Sequence, residues 1–99
     1  MERKIAGAIV VTRHAALVDF LRERGLIEGA VDVKTQVSPA EVCGRHVIGV
    51  LPLHLAAFAE SVTTVDLDIP NEMRGAELGL DQLRAFARAI TTYQVKVLE

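Results

Sequence analysis

The chain has 99 residues, 51% of them apolar, and a formal net charge of −2, which suits one domain with one core that is small enough to favour pairing with a second copy. That charge argues against long nucleic acid, which demands a strongly basic face, and the scarce aromatics (three Phe, one Tyr) argue against an open base-stacking platform. The apolar runs are short and broken by Arg, Asp or Pro, so no membrane span is expected, and no charged-then-apolar leader is evident.

In chain order, residues 5–12 form an almost continuous apolar run rich in β-branched side chains, as in a strand covered on both faces. Residues 15–24 place Leu17, Val18 and Leu21 on one side and Asp19, Arg22 and Glu23 on the other, an amphipathic helix with Gly25 as its stop. A short, more polar strand is expected within 30–37. Ser38-Pro39-Ala40-Glu41 carries a capping box with proline at the first helical position and predicts one helical turn. Cys43 has no second cysteine to pair with, which fits a reducing cytoplasm. It is read as a small packing residue.

Residues 47–51 predict a second buried strand, and Pro52 suits the start of a helix running to about 61. In 62–69, Val65, Leu67 and Ile69 alternate with Thr64, Asp66 and Asp68, a strand pattern. Residues 70–79 read as a polar loop. From Leu80, the set Leu83, Phe86, Ala87 and Ile90 recurs at helical spacing, and 93–98 alternate as a terminal strand at a sheet edge. Strands alternating with helices predict an α/β fold, a mostly parallel sheet of about five strands with helices on both faces.

Ligands of open α/β sheets bind outside the carboxyl ends of the strands. Three chain segments meet there: Thr12-Arg13-His14 after the first strand, Leu51-Pro52 with Leu53 and His54 after the third, and Asp68 with Asn71, Glu72 and Arg74 after the fourth. Helix N-termini add backbone N–H donors, so this edge is a predicted anion site with Arg13 and Arg74 as guanidinium forks. His46 precedes the third strand and so sits at the opposite end from His54. No His/Cys pair has zinc-ligand spacing, so no metal is expected. Neither a P-loop nor a dinucleotide fingerprint is present. Thr12-Arg13-His14 also resembles the Arg-His-Gly signature of histidine phosphatases. Against that, Ala15 stands where that family has glycine, and the chain is about half the length such a domain needs.

A broader resemblance spans nearly the whole chain. Val11-Thr12-Arg13-His14, the segment 47–56 (VIGVLPLHLA) and Leu67-Asp68-Ile69-Pro70 followed by Arg74-Gly75-x-Glu77-Leu78 resemble the small stand-alone CRISPR-associated ring nucleases of type III systems. The resemblance implies a Rossmann-like domain related to CARF domains, a homodimer, and metal-independent, cofactor-free cleavage of cyclic tetra-adenylate. The ribose 2′-hydroxyl would attack the adjoining phosphate and leave a 2′,3′-cyclic phosphate end, destroying the second messenger and switching the antiviral response off. Under that reading Arg13 clamps phosphate and stabilises the transition state, His14 transfers a proton, and Arg74 closes over the ring. Thr12 and the amides after Pro52, at Leu53 and His54, bind phosphate oxygens, and Asp68 positions Arg74 or a ribose. His54 departs from the asparagine common in that family, and a purely orienting role suits it. A binder that sequesters the messenger without cutting it would use the same fold and the same arginines.

Overall fold

The structure is a computed structural model that describes residues 8–99, so the part of the first expected strand at 5–7 lies outside the described residues. The elements are β1 (Ile9–Val11), α1 (Ala15–Glu23), β2 (Asp32–Lys34), α2 (Pro39–Val42), β3 (His46–Gly49), α3 (Leu53–Ala56), β4 (Ser61–Leu67), a 3-10 turn at Asn71–Met73, α4 (Leu80–Phe86) and β5 (Ala87–Tyr93). They build one five-stranded sheet in the order β2-β1-β3-β4-β5. The first four strands run parallel, and β5 is antiparallel to β4. From β1 the chain therefore steps outward to β2, then crosses back to lay β3 on the other side of β1.

Successive strand residues face opposite sides of a sheet. Val10 and Ile48 join Phe20, Leu21 and Leu83 in one core under α1 and α4. Their neighbours Ile9 and Val47 join Val42, Ala56 and Val62 in a second core against α2 and α3. Burial on both faces is why the β1 sequence is apolar throughout rather than alternating. The helix signals hold at their ends. Gly25 adopts a φ of 74° just past α1, a conformation that side chains disfavour. At α2, the Ser38 amide donates to Glu41 Oε1 at 2.7 Å, so the first turn closes on its own third residue.

Three expectations require correction. The helix after Pro52 ends at Ala56 rather than near 61. The Gly44 amide donates to the Phe58 carbonyl and the Glu60 amide to the Arg45 carbonyl, which pull residues 58–60 onto the turn before β3 and start β4 at Ser61. The helix from Leu80 stops at Phe86, and Ala87 and Ile90 lie on β5. Both residues still reach the α1/α4 core, because Ile90 stands opposite Val65 and Ala87 opposite Leu67. The terminal strand thus occupies Ala87–Tyr93 instead of 93–98; it is an edge strand, as expected. Beyond it, Val95 packs on the α2/α3 core while Val97 and Leu98 are exposed. None of the helices in the described residues is long and apolar enough to cross a membrane.

Candidate functional site

The connections leaving β1 (to β2) and β3 (to β4) run in opposite directions, which opens a crevice between the carboxyl ends of β1 and β3. A pocket of about 410 Å³ occupies that position. Its wall is apolar, from Val11, Leu17, Ile48, Val65 and Leu67. Its polar groups come from Thr12, Arg13 and His14 after β1 and from Thr35 after β2. Of the predicted site residues, Thr12, Arg13 and His14 line this pocket, at the carboxyl end of β1.

The β1 exit is held locally. The Thr12 amide donates to the Lys34 carbonyl at 2.9 Å, which extends the β1–β2 pairing by one step. The Thr12 hydroxyl accepts from the His14 amide at 3.0 Å, a turn that swings the chain from strand to helix within two residues. The His14 carbonyl then accepts the first α1 bond, from the Leu17 amide. On the other side of the crevice, Gly49 has a φ of 141°, and a Cβ there would lie 2.2 Å from the Val11 carbonyl oxygen. Only glycine lets β3 end this close to β1.

Arg13 is exposed, and its guanidinium makes no ion pair or hydrogen bond among the described residues. Several other cations are committed: Lys34 to Glu41, Arg84 to Glu23 and Asp81, Arg88 to Asp68. His14 is half-buried, and its Nδ1 is buried with no hydrogen-bond partner. A buried, unpartnered polar atom costs stability, and such costs gather at functional sites.

The remaining sequence candidates lie outside the pocket lining. Pro52, Leu53 and His54 open α3, which packs on the opposite face of the sheet through Ala56, and all three are exposed. Asn71 and Arg74 are exposed on the segment after β4, where Arg74 Nε donates to Asn71 Oδ1 at 3.2 Å. Asp68 does not hold Arg74. Its carboxylate accepts from Arg88 Nη2 at 3.2 Å, because β5 begins at Ala87 and brings residue 88 alongside the end of β4. His46 opens β3 at the far end, where its Nδ1 meets the Ser61 hydroxyl and its Nε2 the Thr63 hydroxyl.

Sequence reasoning did not single out Thr35, Gly49, Val50 or Arg88. A glycine breaking the apolar run 47–51 was a visible sign of close backbone approach. Arg88 carried no such sign while 80–90 read as a helix.

Fold and site together define an α/β protein with a crevice at the crossover point of a mostly parallel sheet, lined on one side by Thr12, Arg13 and His14. Within that class the chain belongs to a CRISPR-associated family: the family model described as "Putative CRISPR-associated protein (Cas_VVA1548)" matches residues 9–96. No curated protein and no solved structure gives a significant match.

Proposed function

We propose that this protein is a ring nuclease that binds cyclic tetra-adenylate and opens it by attack of a ribose 2′-hydroxyl on the adjoining phosphate. The observation that carries the reading is Arg13, unpaired among the described residues, beside His14 on a pocket at the β1/β3 crossover, in a chain of a CRISPR-associated family. The apolar wall suits a base or ribose, and the charged rim suits the phosphate that joins it to the next. A pocket of about 410 Å³ takes one nucleotide and not four, so the rest of the ring lies across the rim. A two-fold dimer would present the pocket twice to a ligand with rotational symmetry.

The chemistry asks little of the protein. The 2′-oxygen forms a bond to phosphorus, the bond to the 5′-oxygen breaks, and the proton lost by the first oxygen is matched by one gained by the second. Positioning of the hydroxyl in line with the leaving oxygen supplies much of the rate. Arg13 neutralises the charge that builds on the phosphate oxygens, and His14 is the imidazole placed to move a proton. Thr12 and the amides at the start of α1 contribute donors. Arg74 and Asn71 approach the ring from the loop after β4, and Pro52, Leu53 and His54 from the other face.

Incubation with radiolabelled cyclic tetra-adenylate in EDTA tests the reading. Linear adenylates with 2′,3′-cyclic phosphate ends, formed over many turnovers, are the expected result. A gel shift without product establishes sequestration instead, the alternative favoured by His14 being the one histidine among the pocket-lining residues. Neither shift nor product refutes both.

A further inference from the structure

The pairing of β4 with β5 slips by one residue at the carboxyl end of β4. Asp66 stands opposite Ala89 and Leu67 opposite Ala87, which leaves Arg88 as the extra residue of a bulge. Bulges interrupt a ladder and re-aim the side chain they carry, and they recur beside binding sites. This one lies at the site's own edge. Leu67 lines the pocket, Asp68 follows it directly, and the Asp68 amide donates to the Phe86 carbonyl at 2.9 Å. The Arg88 guanidinium reaches Asp68 Oδ2 from Nη2 at 3.2 Å and from Nε at 3.4 Å.

The contrast with Arg84 is informative. Arg84 Nη2 and Nε donate to the two oxygens of Glu23, and Nη1 donates to Asp81, so all three of its nitrogens are held by two carboxylates. Among the described residues Arg88 has a single carboxylate oxygen, of Asp68, as partner, and the Arg88 and Asp68 side chains are 63% and 69% exposed. Exposed pairs of this kind are weak, whereas a guanidinium meeting a phosphate gains two parallel charge-assisted bonds. The fork is therefore free to exchange.

We infer that Arg88 is a phosphate-binding residue of this site, set at the end of β4 by the bulge, with Asp68 as the partner that occupies its fork until phosphate displaces it. The inference rests on the cyclic oligoadenylate reading and adds a second cation to that of Arg13, on the β4 side of the pocket next to Leu67. Two cations set apart on the β1 and β4 sides suit a ligand that carries more than one phosphate.

The test measures affinity of the full chain for cyclic tetra-adenylate across a series of salt concentrations, with thermal unfolding of each variant alongside. Arg88→Ala is expected to weaken binding on the order of tenfold. Its plot of log affinity against log salt should also be shallower by about 0.7, the loss of one phosphate contact. Arg88→Lys should keep the salt slope while losing part of the affinity, since an ammonium keeps the charge without the fork. Asp68→Ala should move the other way and tighten binding about twofold, because it frees the fork and removes a like charge from the ligand's path. A purely structural pair predicts equal losses of stability from Arg88→Ala and Asp68→Ala with an unchanged salt slope, and that result overturns the inference. Tight binding by the unsubstituted protein with Arg88→Ala indistinguishable from it removes Arg88 alone. Absence of binding by the unsubstituted protein removes the nucleotide reading and this inference together.

Discussion

Arg13 and His14 adjoin in the chain but stand in different surroundings, and their substitution should separate binding from chemistry. Arg13, exposed and without an ion pair among the described residues, would meet phosphate in both the bound and the transition state. Arg13→Ala is therefore expected to weaken binding roughly tenfold and to lower turnover further, read from Kd and single-turnover rate. His14→Ala should lower the rate by about 10²-fold or more with little change in affinity, since a proton in flight is a property of the transition state. Equal losses in rate and affinity would make His14 a binding residue. Gly49 acts on the same site through backbone. A methyl group at residue 49 meets the Val11 carbonyl oxygen at 2.2 Å, a backbone atom that cannot turn aside. Gly49→Ala must push β1 and β3 apart, and a loss of about 2–4 kcal/mol in urea unfolding is expected, with loss of ligand binding in whatever folded protein remains.

At the scale of elements, α1 and α4 are tied side by side by Arg84, which donates to Glu23 at 2.6 and 2.7 Å. The tie sits at the last residue of α1, the helix that His14 caps at its other end. The hydrogen bond from Arg84 holds the Glu23 carboxyl below its usual range. The amide of Ser38 does the same for Glu41 at the α2 cap. A carboxyl lowered in the folded state binds its proton more readily when unfolded. Its contribution is complete above the ordinary carboxylate pKa and is lost as pH falls through the lower, folded value. Thermal midpoints should accordingly drop as pH falls below about 4, and Glu23→Gln should start lower and flatten that decline. An unchanged slope in Glu23→Gln would show that the α1–α4 tie adds nothing to acid stability. Both groups are solvent-accessible, so the effect is expected to shrink in high salt.

For the whole molecule, size sets the question. A chain of 99 residues buries a modest core, and its pocket of about 410 Å³ holds part of a cyclic tetranucleotide. Beside the rim, Val50 is 80% and Leu53 76% exposed, apolar side chains at the end of β3 where a second copy could cover them. Sedimentation velocity should give the mass of a dimer at micromolar concentration, more fully so with cyclic tetra-adenylate present. A monomer that binds and cuts the ring at full rate would show that one pocket suffices.

The sequence by itself determined the order of elements, the parallel character of the sheet and the place of Thr12, Arg13 and His14. Each rests on local chemistry: an apolar run too continuous for a half-exposed strand, a capping box, a glycine past a helix, a cation where a buried strand meets water. Tertiary structure decided the rest. Helical spacing sends Phe86, Ala87 and Ile90 toward one face, whereas a regular strand would set Ala87 and Ile90 on opposite faces, so periodicity pointed to a longer α4; pairing with β4, with Arg88 as the extra residue, brought both to the core instead. That boundary in turn turned Arg88 from a helix-surface residue into the partner of Asp68. Likewise the close pass of Gly49 over the Val11 carbonyl exists only when β3 lies beside β1. Contacts between residues distant in the chain depend on which strands become neighbours, and neighbourhood is set by burial of the whole core rather than by any one segment.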